Sequence, residues 1–526
     1  MPDKLTGLSL LKAETRLPWG SCLIAGALMG ITCDPINAWF LAWIAFIPLW
    51  VWVINQQSCH WSQLIPAVTF AIGYYGISLF WITGVHPMTW MGVPWLASLV
   101  IAIGCWVFLI SWGTVLVVIW SLAMIAVTRK LANPLQRVLF GVTLWCSLET
   151  IWSYTPLHWT TFALTQSPHN LPILQWLSIS GTTTVTAIIV AVNGLLAESI
   201  ITRNSKLSLN SGLIQGAIAI LVTFHFVGGW LYLRPIETPQ NQALRVGIIQ
   251  GNVPNEIKLY PEGWRKAIAG YTKGYINLAK AGAQAVLTPE TALPFQWQQQ
   301  VRQGSKFYDA ILEQGVPVWL GAFGNKQGND TNSLYSINGE GETISRFDKV
   351  KLVPLGEYIP LESVLGQVVD RLSPLESHLA KGNPDQTFMT SFGKAIVGIC
   401  YESAYGQHFR TQAASGGEFI LSASNDAHYS ETMPAQHHAQ DVMRAIETDR
   451  AMVRATNTGY SAIVDSRGNT RWLSQMNEYQ THLGTIYRRE TKTPYVRWGN
   501  WFNWMLVGLV MITGFSRLSR SSNRNL

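Results

Sequence analysis

The sequence predicts two kinds of fold in one chain: an α-helical membrane bundle of about eight transmembrane helices, and an α/β domain inserted before the last of them. Three observations point there. Between Arg16 and Arg129 the only Asp, Glu, Lys or Arg is Asp34, and so long an apolar stretch has to be buried in something apolar. Of all residues 48% are hydrophobic and only 13% charged, too apolar a balance for an ordinary water-soluble chain. Beyond residue 235 the pattern changes to short aliphatic runs alternating with polar, helix-periodic stretches.

At about 20 apolar residues per crossing, the spans fall near 18–33, 36–54, 63–84, 94–127, 138–154, 171–199 and 212–233, with an eighth near 499–516. The fourth run exceeds one crossing, but Gly104 and Gly113 are weak breaks and tilt absorbs the excess, so it counts as one helix. No A-x-A cleavage site follows the first run and further spans do, so it is read as a retained helix.

Basic residues cluster before the first span (Lys4, Lys12, Arg16), between the fourth and fifth (Arg129, Lys130, Arg137), between the sixth and seventh (Arg203, Lys206) and after the last (Arg517, Arg520, Arg524). The alternate connections, around Asp34, 86–90 and 155–170, hold no Lys or Arg. The excess of positive charge in cytoplasmic loops then places 235–495 outside. The expected division is a membrane domain over 1–234 with about seven spans, an outward-facing domain over 235–495, and a C-terminal transmembrane helix with a basic cytoplasmic tail over 496–526. This topology accounts for the net charge of +7, which comes with no basic run, zinc spacing or aromatic RNA-binding signature; nucleic acid is not an expected partner.

In the outward segment, strands are expected near 244–249, 285–287, 316–320, 396–399 and 419–421, and helices near 262–281, 307–314 and 434–450. Alternating strands and helices indicate sheets covered by helices. Of the six cysteines, Cys22, Cys33, Cys59, Cys105 and Cys146 lie in the hydrophobic half and none forms a CxxC pair, so no disulfide framework or structural zinc is implied. Cys400 is the one candidate for thiol chemistry in the polar half.

Three strand ends carry chemistry: Leu287-Thr-Pro-Glu290-Thr-Ala-Leu-Pro294, Phe347-Asp-Lys349-Val-Lys-Leu-Val-Pro354-Leu-Gly-Glu357, and Ile396-Val-Gly-Ile-Cys400-Tyr-Glu402-Ser. Singly, each has a plainer reading as a solvated acid, surface lysines and a small core cysteine. Together they resemble the nitrilase superfamily, whose site joins a Glu, a Lys and a Cys from separate strand ends. With eight spans, LVP-x-GE after the lysine and CYE at the cysteine, nearly the whole chain resembles the apolipoprotein N-acyltransferase family. The pieces Gln250-Gly-Asn252-Val-Pro254, Asn332-Ser, Ser424-Asn-Asp426 and Arg454-Ala-Thr-Asn457-Thr-Gly459 agree, as do Leu148-Glu149 near Trp145 and the run 171–193.

The resemblance implies a nitrilase-like αββα sandwich with Glu290 as general base, Lys349 as the cation stabilising the transition state, and Cys400 as nucleophile. It implies supporting roles for Glu357, Tyr401, Glu402 and Asn332, and no metal or cofactor. It further implies a bacterial cytoplasmic (inner) membrane location with the catalytic domain on the periplasmic side, a phospholipid acyl donor and a diacylated apolipoprotein acceptor. The residue types suit that chemistry. A thiol needs a base before it attacks an ester, a cation lowers the energy of the oxyanion, and the same acid takes the amine's proton when the thioester becomes an amide. An outward site lacks ready ATP or acyl-CoA, so the acyl group has to arrive as an ester.

The sequence departs from the family where Ala427-His428-Tyr429-Ser430 follows Asp426 in place of Trp-Phe-Gly, and Leu355 stands where Phe is common. Three other readings compete. His437 and Asp441, four apart on a helix, have metal-ligand spacing, but a third ligand is not evident. A membrane-anchored amidase hydrolysing a small amide would use the same triad, and a transporter would use the outer domain only to bind. Glu149 is expected to tie the membrane helices to the catalytic domain or to a headgroup, and 259–264 and 364–379 are candidate lids.

Overall fold

The computed structural model describes residues 18–56, 61–202, 211–298, 302, 304–358, 378–427 and 429–522. Lys4, Lys12, Arg16, Arg203, Lys206, Arg524, Cys59, His428 and nearly all of the 364–379 segment lie outside them.

Every expected apolar run contains helix, but run length and helix length differ. Three helices, Trp95–Thr128, Thr182–Ile201 and Ser211–Leu233, are long and apolar enough to cross a membrane; Pro18–Gly30, Trp39–Ile54, Ile65–Ser78, Leu171–Ser180 and Trp501–Thr513 are apolar but shorter. Helix length thus supports three crossings among the described residues, not eight. The causes are local. The run 36–54 splits into a 3-10 turn, Trp39–Trp43, and the helix Ile47–Ile54, whose second residue is Pro48. The run 171–199 breaks at Gly181, which takes φ +62° where a side chain would collide with Tyr495.

The membrane half is packed through small residues, as helices in lipid require. A Cβ at Gly26 would strike the Phe70 backbone, and one at Gly73 the backbone of Leu23 and Ala27, so helices Pro18–Gly30 and Ile65–Ser78 touch main chain to main chain. Its buried acids find their partners internally. Glu198 pairs with Arg137, which lies inside the helix Pro134–Trp152 and donates from Nε at 2.9 Å. Glu149 accepts from Trp145 Nε1 (3.0 Å), Phe162 N (2.8 Å) and Thr186 Oγ1 (2.8 Å). It therefore ties the membrane helices to one another, which corrects the expected tie to the catalytic domain: among the described residues its hydrogen-bond partners lie in the membrane half.

The second half is a two-sheet sandwich. The first sheet is β1 (Ala243–Gln250), β2 (Ala285–Leu287), β3 (Leu293–Gln296), β4 (Val318–Lys326), β5 (Asn329–Ile337), β6 (Thr343–Asp348) and β13 (Gln480–Tyr487), ordered β13-β1-β2-β4-β5-β6 with β3 against β4. The second is β7 (Phe388–Thr390), β8 (Gly393–Ile399), β9 (Phe419–Ser424), β10 (Met452–Thr456), β11 (Ala462–Val464) and β12 (Thr470–Leu473), ordered β12-β11-β10-β9-β8-β7. The central strands β1, β2, β4 and β8, β9, β10 run parallel. Covered on both faces, they read as continuous aliphatic runs rather than as alternating ones.

Between the sheets lie Val246, Ile248, Leu287 and Trp319 from one and Val397, Ile399, Leu421 and Val453 from the other. Helices Pro261–Lys280 and Lys306–Gln314 bury Tyr271, Tyr275, Phe307 and Ile311 on the outer face of the first sheet. On the second, helices Gly406–Ala414 and Thr432–Thr448 bury Phe409, Val442 and Ile446 in one cluster with the membrane helices. Thr432–Thr448 is thus sandwiched between sheet and membrane half: Trp159 Nε1 donates to Gln436 (2.7 Å), and Gln436 Nε2 to the Ser78 carbonyl (3.0 Å).

Candidate active site

Parallel strands end together, so their carboxyl ends gather side chains from distant sequence. Glu290 follows β2, Lys349 follows β6 and Cys400 follows β8, and all three line one cavity of about 170 Å³. Cys400 opens a short 3-10 turn with φ +52°, the left-handed region a non-glycine residue rarely adopts, and its side chain is buried.

Lys349 Nζ is 2.9 Å from Glu290 Oε1 and 2.9 Å from Glu357 Oε1. Asn332 Nδ2 donates to the same two oxygens at 2.6 and 3.0 Å. Glu357 Oε2 accepts from Val353 N at 2.8 Å, which fixes the loop after Lys349. Burial works against the Lys349 charge, but Glu290 and Glu357 hold its ammonium well above the ordinary range. Burial, and then the charge of Glu290, push the Cys400 thiol well up, with Lys349 opposing. The thiol is therefore protonated at rest and needs a base.

Glu402 does not face the cavity. Its oxygens accept from Val350 N (2.7 Å), Lys351 N (3.0 Å) and Ile399 N (2.9 Å), a strut between the loop of Lys349 and the strand of Cys400. Tyr401 turns toward the membrane half: its hydroxyl lies 2.8 and 3.0 Å from the carbonyls of Pro156 and His158, and its ring stacks on Trp159. The sequence-derived site residues thus divide. Glu290, Lys349, Glu357 and Asn332 are joined by hydrogen bonds, Cys400 shares their cavity, and Glu402 and Tyr401 brace it from outside.

The spacing reading of His437 and Asp441 as metal ligands is replaced by another arrangement. His437 Nε2 lies 2.8 Å from the Cys400 carbonyl, which only accepts, so Nε2 carries the proton. Nδ1 is 2.6 Å from Arg454 Nη2 and 3.2 Å from Asp426 Oδ1. Arg454 also pairs with Asp426 (3.1 Å) and Asp441 (2.6 Å). Burial alone would raise Asp426, but His437 and Arg454 hold its carboxyl below the ordinary range. Cys400, Asp426 and His437 come close enough to suit a metal ion. Both imidazole nitrogens are already engaged and a guanidinium sits beside them, so the set fits a cation-centred brace and not a metal.

Sequence reading gave no site role to several cavity residues. Lys258, just after the Gln250–Pro254 piece, is buried with Nζ 3.1 Å from the Glu290 carbonyl; burial depresses its ammonium to about 8. Trp90, from the charge-free connection of the membrane half, and Tyr429, at the family departure, also line the cavity. These two, with Val353 and Gly356, border a second cavity, also about 170 Å³, whose other walls are Ile82, Val85, Met88, Met91, Ile101, Cys105, Pro354 and Leu355. An apolar chamber roofed by membrane helices thus adjoins the cavity of Cys400.

Comparison with known proteins agrees with this architecture. Residues 25–195 match the family model described as the apolipoprotein N-acyltransferase N-terminal domain, and residues 245–489 match carbon-nitrogen hydrolase. A Nostoc sp. protein named apolipoprotein N-acyltransferase is 53% identical, covering 91% of this chain and 96% of its own length. Proteins of the same name from Synechocystis sp. (49% identical, 91% and 96%) and Thermosynechococcus vestitus (43%, 93% and 94%) also align along most of their lengths. With catalytic half, membrane half and relatives all in agreement, the chain belongs to the apolipoprotein N-acyltransferase family.

Proposed function

We propose that this enzyme transfers a fatty acyl chain from a membrane phospholipid to the α-amino group of the N-terminal S-diacylglyceryl-cysteine of apolipoproteins, by a ping-pong route through a Cys400 thioester. The observation that carries this reading is the pair of adjoining cavities, one lined by Cys400, Glu290 and Lys349, the other apolar and enclosed between membrane-half residues and the loop after Lys349. A small amide needs no such chamber, whereas a fatty chain whose ester lies at the thiol does.

In the first half-reaction Glu290 takes the thiol proton, the thiolate attacks the ester carbonyl, and the oxyanion faces the Lys349 ammonium. Collapse breaks the ester C–O bond, and the lysophospholipid alkoxide leaves with the proton held by Glu290. In the second, the neutral amine of the acceptor attacks the thioester and gives a proton to Glu290. The amide forms as the C–S bond breaks, and the proton returns to sulfur. Ester to thioester to amide needs no external energy source.

The shared ammonium supports these roles: Glu357 and Asn332 keep Glu290 and Lys349 in register, so neither moves far when the proton is exchanged. The apolar run before Arg129 and the distribution of basic residues support a cytoplasmic-membrane protein of several spans, with 235–495 on the periplasmic side.

The test is a transfer assay with labelled phospholipid and a diacylated lipopeptide. Label is expected in the lipopeptide only when its α-amine is free. Release of free fatty acid at the same rate without lipopeptide would favour a hydrolase and defeat the proposal.

A further inference from the structure

A further cavity, about 680 Å³ and sharing no lining residue with that of Cys400, opens where the helix Ser211–Leu233 ends. Arg234, Arg467, Arg471 and Arg489 line it, above buried Ile463 and Ile486. Asp465 is the one acid among its lining residues, and it is already engaged: it holds its own turn through Arg467 N and Asn469 N and pairs with Arg471 at 2.7 Å. Arg489 pairs with Asp449 at 2.9 Å. The Arg467 guanidinium has no ion-pair partner among the described residues, and its Nε is buried without a hydrogen bond. Among the described residues Arg234 meets only an aromatic face, 3.7 Å from the Trp230 ring centroid. Two cations are thus left over, one of them partly removed from water, where desolvation is costly unless an anion completes the site.

The place says which anion. Tyr232 Oη donates to Asn469 (2.6 Å) and Gln175 Nε2 to the Arg467 carbonyl (3.0 Å), which binds the arginine-bearing turn to the ends of membrane-half helices. Along the adjoining helix Phe226, Trp230 and Leu233 are exposed, an apolar face with Trp230 one turn before Arg234. Guanidinium forks match phosphate oxygens in pairs.

We propose that this cavity holds the phosphate of an anionic phospholipid whose chains run along Phe226 and Trp230, a bound lipid distinct from the acyl donor at Cys400. The proposal rests on the membrane-spanning reading of Ser211–Leu233 and not on the reaction at Cys400.

Native mass spectrometry of the full-length protein in detergent tests it, with dioleoyl phosphatidylglycerol, dioleoyl phosphatidylcholine and inorganic phosphate as separate probes. Phosphatidylglycerol adducts are expected to survive activation better than phosphatidylcholine adducts, and to weaken about tenfold, or about 1.4 kcal/mol, in the Arg234→Gln/Arg467→Gln double variant. Arg234→Gln alone, at an exposed position, is expected to weaken them about threefold without affecting the fold. Equal retention of the two lipids, or unchanged retention in both variants, overturns the proposal. So does displacement of the lipid by inorganic phosphate at equal concentration, which would make the cavity a free-phosphate site.

Discussion

Lys349 Nζ stands 2.9 Å from Glu290 and 2.9 Å from Glu357, so one ammonium neutralises two buried carboxylates. Removing it leaves both acids facing each other with Asn332 as their remaining side-chain bridge. Lys349→Met is expected to lower acyl transfer by about 10²–10³-fold, the scale of losing an oxyanion donor. Glu357→Gln, which leaves Glu290 and the ammonium paired, is expected to cost about 10–100-fold. Initial rates with saturating lipopeptide measure both.

Arg454 is the centre of the brace under Cys400, touching Asp426, Asp441 and His437. Arg454→Met takes the guanidinium from two buried acids and is expected to cost about 3–5 kcal/mol of stability, read as a lowered unfolding midpoint in detergent. His437→Gln keeps a donor for the Cys400 carbonyl and is expected to retain more activity than His437→Leu.

Lys258 gives a pH dependence of known sign. Its ammonium, ordinarily at 10.5, sits at about 8 in the folded protein because burial disfavours the charge. Between those values the unfolded chain binds more protons than the native one, so stability contributed at this site rises with pH from about 8 to about 10.5. The full span corresponds to about 3 kcal/mol. Unfolding midpoints across that range are expected to rise in the wild type relative to Lys258→Met, in which this component is absent.

The apolar chamber is expected to set donor chain length. Cys105 lines it and is only partly buried, so Cys105→Trp fills space without breaking a polar contact among the described residues. The variant is expected to prefer shorter acyl chains by severalfold when phospholipids of two chain lengths compete, with little change in lipopeptide KM.

Much of this was legible in the sequence for identifiable reasons. Buried parallel strands such as β8 write themselves as continuous aliphatic runs, and residues after such a run stand at the strand end where sites form; that places Glu290 and Cys400 at strand ends, while their roles come from the family resemblance. Helix length in the membrane half was not legible, because an apolar run such as 36–54 continues through a 3-10 turn that costs nothing in hydropathy. Lys258 was missed because a lysine on a four-residue helix has the look of a surface charge until the fold buries it. The pairing of His437 with Arg454 lay beyond reach because it joins a helix face to a strand, and spacing along one helix reports only its own neighbours.

The most direct measurement is intact-peptide mass spectrometry of the purified enzyme after incubation with phospholipid alone and then with a diacylated lipopeptide. The peptide containing Cys400 is expected to gain the mass of one acyl chain and to lose it to the lipopeptide, with no such gain in Cys400→Ala. An acyl adduct that persists in Cys400→Ala, or one on Cys400 that the lipopeptide never discharges, would contradict the account.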